Sequence, residues 1–148
     1  MNQDTLSAIA YFLDGVGSNY TVFLRVYTTP MIVGLSSEQL IRNALGSGAV
    51  VEGFQEVTPP EVVSEVTSCM TYVGDRVAGP NPEALKSERF AQLLGQLIDE
   101  TEQTVRNAVR IEQFWLSEGH PAYPVWWDFA YLLRCPSVAE IFIGSSSD

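Results

Sequence analysis

The feature that most constrains this chain is a nearly continuous apolar and aromatic run close to its C-terminus. Residues 125–133 read VWWDFAYLL, and residues 139–144 place Ile141, Phe142 and Ile143 in succession. Such runs are typical of strands that are buried on both faces. We therefore expect two core strands here. The structural residues that this predicts are Trp126, Trp127, Phe129 and Asp128, whose carboxylate needs a hydrogen-bond donor if it is buried.

The N-terminal half alternates between helical and extended patterns. Apolar spacing predicts a helix over 4–13, and alternating residues predict strands over 20–28 and 49–57. Ser36 and Gln39 have capping-box spacing, which predicts a helix from Ser37 to Leu45. Residues 61–73 fit either a helix or a strand. A helix is favoured because the proline before this segment suits a first helical turn.

A long apolar stripe follows a clear helix start. Asn81, Pro82 and Glu83 are suited to an N-cap and a first turn, and apolar residues then recur every three or four positions as far as Leu116. Trp115 belongs to this stripe as a further structural residue, and Gly95 is its weakest helical position. The stripe predicts one long helix or a helical pair with a bend.

These segments together predict one α+β domain over residues 1–148. A chain of 148 residues is long enough to bury a core without disulfides or metals. We expect a small, mostly antiparallel sheet that packs against a long helix or helical pair, with one or two shorter helices besides.

The charge balance restricts the class of partner. The chain has 18 acidic and 8 basic residues, a formal net charge of −10, and no basic region. This argues against direct binding to nucleic acid or to anionic membranes. The excess either serves solubility alone or attracts a basic partner. Two cysteines outside any paired motif, no export signal and no long apolar span predict reduced thiols and a cytoplasmic location.

The sequence contains no recognisable catalytic or metal-binding pattern. His120 is the single histidine, so a histidine-rich metal site is excluded. Cys135, His120 and Asp128 contain the groups of a thiol triad, but their spacing matches no activated cysteine. The glycines at 15 and 17 lack the third glycine and the preceding strand of a dinucleotide loop. We expect no catalytic residue, no cofactor and no metal. A small hydrolase or nucleotide-processing enzyme that uses His120 is the alternative.

The C-terminal part carries a family resemblance. Phe114-Trp115, the run GHPAYPVWWDFA over residues 119–130, and the ending IGSSSD are similar to bacterial immunity proteins of polymorphic toxin systems. The resemblance covers about the last 35 residues and implies an inhibitor that binds a cognate toxin domain. An adaptor or chaperone-like domain for a secreted effector is a further alternative.

The acidic composition is compatible with that implication. Many delivered toxins act on nucleic acids and so expose basic clefts, which an acidic surface can cover. The partner is therefore expected to be a basic protein domain. The candidate contacts are Glu52, Glu56, Asp99, Glu100 and Glu102, with Tyr72 or Tyr20 as an aromatic anchor.

Overall fold

A five-stranded antiparallel sheet forms the centre of the fold. The computed structural model describes residues 1–14, 19–74 and 78–147, so the glycines at 15 and 17 lie outside the described residues. The strands lie in the order β1-β5-β4-β3-β2, and every neighbouring pair is antiparallel. The prediction of an α+β fold with an antiparallel sheet is confirmed. The elements in chain order are α1 (Gln3–Leu13), β1 (Thr21–Pro30), α2 (Ser37–Leu45), β2 (Val50–Glu56), α3 (Pro59–Met70), α4 (Pro82–Leu85), α5 (Glu88–Asn107), β3 (Arg110–Glu118), β4 (Trp127–Arg134) and β5 (Val138–Ser147).

The two C-terminal strands are buried on both faces, as the apolar runs predict. On one side, which we call the three-helix face, Phe129, Tyr131 and Phe142 pack beneath α1, α3 and α5. On the other side, the α2 face, Leu132 and Ile141 pack beneath the short helix α2. Alternate residues of a strand point to opposite faces, so a strand between two helical layers needs apolar residues at almost every position.

A glycine permits the tightest contact of the three-helix face. Gly144 in β5 lies opposite Phe129 in β4 and Leu24 in β1. The Phe129 ring lies against Gly144 and meets Phe142 edge to face, with 4.9 Å between the ring centroids. A methyl group on Gly144 would lie 2.5 Å from Cε1 of Phe129 and 2.9 Å from Cδ2 of Leu24. The ring therefore occupies the space that any larger residue would need.

The helices of the N-terminal half form where the sequence predicts them. Helix α1 covers 4–13, and α2 begins with the predicted capping box between Ser36 and Gln39. The ambiguous segment 61–73 is largely helical and belongs to α3, which starts at Pro59 and closes a capping box between Thr58 and Glu61. No helix in the described ranges is long and apolar enough to cross a membrane.

The prediction that the apolar stripe stays helical as far as Leu116 is wrong. Helix α4 has only four residues, and Ser87 caps the N-terminus of α5. Ala108 has an extended backbone with ψ of 134°, and β3 follows from Arg110. Apolar residues at 111, 114 and 116 suit a strand as well as a helix, and pairing with β2 and β4 decides between them.

Two glycine-to-alanine substitutions are expected to have opposite effects on stability. Gly95 lies within α5 with no atom within 4 Å of an added methyl group. Gly95→Ala should therefore raise the free energy of unfolding by about 1 kcal/mol, since alanine is the better helix former. Gly144→Ala should lower it by roughly 1–3 kcal/mol, because the packed Phe129 ring cannot move aside. Urea unfolding monitored by circular dichroism measures both values. Equal effects of the two substitutions would contradict the packing described.

Candidate functional site

The residues of the possible thiol triad do not come together. Asp128 is exposed near the start of β4, whereas Cys135 directly follows the end of the same strand, and the extended chain between them spans roughly 23 Å. Burial and the nearby Glu140 raise the pKa of the Cys135 thiol, which disfavours a thiolate nucleophile. Nδ1 of the His120 ring lies 2.5 Å from the Ala122 carbonyl oxygen and 3.1 Å from the Ala122 backbone nitrogen, so Ala122 is its partner in either tautomer. This contact holds the ring within its own loop.

The second cysteine and the possible metal ligands form no candidate site in the described residues either. Cys69 is buried and unpaired, and burial together with Glu65 and Asp128 raises the pKa of its thiol to about 12. Across residues 1–14, 19–74 and 78–147, His, Cys, Asp and Glu side chains form no group of three that could hold a metal ion.

The residues predicted to be structural have different environments. Phe129 is buried, and Trp126 and Trp127 are half-buried against the core, with the Trp127 indole N–H donating to the Tyr20 hydroxyl at 2.8 Å. Asp128 is exposed, so the requirement for a buried hydrogen bond does not arise. Trp115 lies on β3 instead of a helix, 42% exposed, with its ring against Gly53 of β2.

The three acidic residues predicted as one contact face of α5 lie on different sides of that helix. Glu100 and Glu102 are separated by roughly 160° around the axis, because an α-helix has 3.6 residues per turn. Glu100 points to α1, whereas Glu102 lines a groove of about 500 Å³ together with Pro59, Val63 and other residues of α3 and α5. Asp99 is exposed. The interpretation of these residues as one surface is corrected accordingly.

Glu100 links α1 to α5 through hydrogen bonds. Its carboxylate accepts hydrogen bonds from the backbone N–H of Asn2 at 2.8 Å, from the Thr5 hydroxyl at 2.7 Å and from the Gln96 amide at 3.0 Å. Burial alone raises the pKa of Glu100, but these donors and the N-terminal ammonium outweigh it, so the pKa lies below its ordinary value of 4.5. Glu100 is therefore engaged within the protein and is a poor candidate for partner binding.

The other predicted contacts lie on the far side of the sheet and beyond α3. Glu52 and Glu56 are exposed on β2, the edge strand, and Glu56 forms an ion pair with Arg110 at 3.2 Å. Tyr72 follows α3, is half-buried and stacks on Tyr20 with 6.2 Å between the ring centroids. No hydrogen bond or ion pair in the described part of the chain joins these residues to the acidic residues of α5. The predicted contacts are thus scattered, and β2 carries the only two that share a strand.

A buried carboxylate that the sequence analysis missed organises the α2 face. Glu112 is 4% exposed, and its carboxylate accepts from the Ser37 hydroxyl at 2.8 Å and from Nε of Arg134 at 3.1 Å. Arg110 approaches it at 3.3 Å, and Arg134 also donates to the Ser37 hydroxyl at 2.7 Å. This network ties the first turn of α2 to β3 and β4. Every oxygen of Glu112 has a donor, so the network is suited to holding α2 rather than to chemistry on a ligand.

A partly buried polar cluster lies on the three-helix face. Glu65 of α3 accepts hydrogen bonds from the Tyr131 hydroxyl and from the Gln113 amide, the latter at 3.1 Å. Burial and this carboxylate raise the pKa of the Tyr131 hydroxyl, which therefore stays protonated. The cluster positions α3 over β3 and β4.

A cleft lies beside the N-terminal residues Met1 and Asn2. It has a volume of about 670 Å³ and lies between α5 and the turn that joins β4 to β5, where Thr104, Cys135 and Glu140 are among its lining residues. Glu140 and Thr104 both contact the N-terminal ammonium at 3.4 Å, so their polar groups are already satisfied inside the protein.

Comparisons with known proteins leave the function to be argued from these residues. The chain matches no protein-family model, no curated protein and no solved structure.

Removal of the buried charge should weaken the docking of α2. We expect Glu112→Gln to lower the free energy of unfolding by about 3 kcal/mol, because two guanidinium groups lose their buried counter-charge. Glu118→Gln, on the same strand but exposed, is the matched control and should change it by less than about 0.5 kcal/mol. Chemical denaturation measures both. Similar losses in the two variants would contradict a special role for Glu112.

The hydrogen bonds of Glu100 predict an acid-dependent contribution to stability. A carboxylate with a lowered folded-state pKa stabilises the fold above its unfolded pKa, and the contribution is lost as the pH falls through the folded pKa. Glu100→Gln should cost on the order of 1 kcal/mol at pH 7, and the difference from the native protein should shrink below about pH 4.5. Glu102→Gln, which changes the same charge on the opposite side of α5, should show little of either effect.

Proposed function

We propose that this protein is an immunity protein, which binds a basic bacterial toxin domain and neutralises it. The observation that carries the proposal is an acidic surface that the protein's own cations leave unneutralised. Five basic side chains lie in ion pairs with carboxylates of the chain itself, and these are Arg42, Lys86, Arg106, Arg110 and Arg134. A further one, Arg25, lies over the Tyr27 ring.

Several carboxylates remain available to a partner. In the described part of the chain, Glu52, Asp99, Glu118 and Asp128 are exposed and belong to no ion pair. Exposed carboxylates attract a positively charged surface over about 10 Å at moderate ionic strength, which speeds encounter and orients the partner. Toxins that act on nucleic acids need such a positive surface to hold their substrate.

The placement of the candidate catalytic groups also favours binding over turnover. Asp128 and Cys135 lie at opposite ends of β4, and His120 is engaged by Ala122. An enzyme needs its acid, base and nucleophile within hydrogen-bond reach of one substrate position. The hydrolase alternative has no such arrangement to support it, and no particular observation favours the adaptor alternative.

The proposal is tested with the product of the neighbouring gene. We expect the two proteins to co-purify in a one-to-one complex, and expression of this chain to restore growth to cells that produce the neighbouring toxin domain. The association rate constant should fall at least tenfold between low and high ionic strength, since electrostatic steering is screened by salt. Stopped-flow fluorescence of the tryptophans measures that rate.

Two results would count against this function. A complex that forms without suppressing toxicity would indicate an adaptor or chaperone. An association rate that is independent of salt would remove the role assigned to the acidic surface, even where growth is restored.

A further inference from the structure

The two edge strands of the sheet, β1 and β2, differ in whether side chains bond to their outward backbone groups. On β1, three outward backbone groups are bonded to side chains of α1 and of Asp14, which ends that helix. Asp14 accepts from the Val22 N–H at 2.6 Å, and Gln3 accepts from the Val26 N–H at 3.1 Å while donating to the Leu24 carbonyl at 3.2 Å. A further strand could therefore pair with this stretch of β1 only by displacing the Gln3 and Asp14 side chains.

The opposite edge, on β2, has no such cover. The Val57 N–H donates to the Ile111 carbonyl of β3 at 3.1 Å. Because only alternate residues of β2 bond to β3, the N–H and C=O groups of Phe54 and Glu56 point away from the sheet. In the part of the chain that the structure describes, no side chain bonds to these outward groups. A β-bulge between Val51 and Gly53 interrupts the start of the strand, so residues 53–56 form the regular part of the edge.

An aromatic side chain lies on each face of this open edge. Phe54 projects to the α2 face, 40% exposed, and contacts Phe114 at 6.5 Å between ring centroids. On the other face the Trp115 ring, 42% exposed, lies over Gly53 of β2, with Cε3 at 3.6 Å from the position of an added Cβ. A strand added beside β2 would therefore meet one exposed aromatic ring on each of its faces.

Charge selects the strand that fits this edge. Glu52 and Glu118 are exposed and have no ion pair in the described residues. Glu56 is paired with Arg110, whose guanidinium also contacts Glu112. A second copy of the chain is disfavoured, because antiparallel pairing of two β2 strands about Phe54 sets Glu52 of one against Glu56 of the other. A strand with Lys or Arg would instead neutralise these carboxylates.

We infer that residues 53–56 of β2 form a docking edge for an extended, basic segment of a partner protein, which adds a sixth strand to the sheet. Backbone bonds to Phe54 and Glu56 supply the register, while the Phe54 and Trp115 rings receive apolar side chains of the segment. The identity of the partner as a toxin domain rests on the proposed function, but the chemistry of the edge does not.

The first experiment uses short synthetic peptides in which Lys or Arg alternates with Val or Thr. Titration into the isotope-labelled protein should give saturable amide shifts over residues 53–56 and slower hydrogen exchange at the Phe54 and Glu56 amides. Amides of β1 should not change, and peptides with Glu in place of Lys should not bind. Shifts confined to another surface, or none with any basic peptide, would overturn the inference.

The second experiment separates the backbone bond from the charge at one position. Glu56→Gln removes the carboxylate and keeps the outward N–H, whereas Glu56→Pro removes both and leaves the bonds to β3 intact. We expect Glu56→Pro to bind the peptide about tenfold more weakly than Glu56→Gln, the loss of roughly one hydrogen bond. Equal affinities of the two folded variants would contradict strand addition.

Replacement of an aromatic residue at this edge provides a test that does not depend on the Glu56→Pro variant. Phe54→Ala should also weaken peptide binding severalfold, whereas Tyr11→Ala, at a more exposed aromatic residue of α1, should not. Thermal melts establish that each variant is folded. Unchanged affinity of Phe54→Ala would argue against this edge whatever the fate of Glu56→Pro.

The toxin complex distinguishes this inference from the proposed function. If the neighbouring toxin is neutralised with full affinity by Phe54→Ala and Glu56→Pro, the docking edge is wrong and the function stands. If no neighbouring toxin is neutralised but basic peptides bind at 53–56, the function is wrong and the docking edge stands.

Discussion

The burial of β4 and β5 on both faces is the constraint from which the rest of the architecture follows. Their side chains are apolar in both directions, so each face of the sheet needs a helical layer over it. Gly144 lets the Phe129 ring lie against the sheet, and that ring in turn meets Phe142 and Tyr131 beneath the three helices. The outer strands β1 and β2 complete a sheet whose centre is already fixed.

Much of the fold could be predicted because local signals and tertiary contacts agree. The capping box at Ser36 and the apolar run over 125–133 each specify one element without help from distant residues. The strand β3 could not be predicted in this way. Its apolar residues continue a helical period that begins in α5, and only the backbone partners offered by β2 and β4 make the extended form the better one.

The candidate contact residues were harder to predict than the fold. A sequence does not distinguish an exposed carboxylate from a buried one, so it predicts Glu100 as a partner contact, whereas the structure shows that Glu100 links α1 to α5. Glu112 gave no signal, because its partners Ser37 and Arg134 are far away in the chain. Whether a strand lies at the edge of the sheet depends on the strand order, which the sequence does not give. The open edge beside Glu52 and Glu56 is seen only in the structure, where β2 is the outermost strand.

The cover over β1 has a consequence for how copies of this protein could join. Gln3 and Asp14 reach that edge from α1 and its C-cap, so a chain whose first helix has detached presents two unpaired borders instead of one. The borders differ in sequence and lie at opposite ends of the sheet, and repeated joining of one to the other does not close into a ring of two. Such copies would associate head to tail, so the attachment of α1 removes one of the two edges that this association needs.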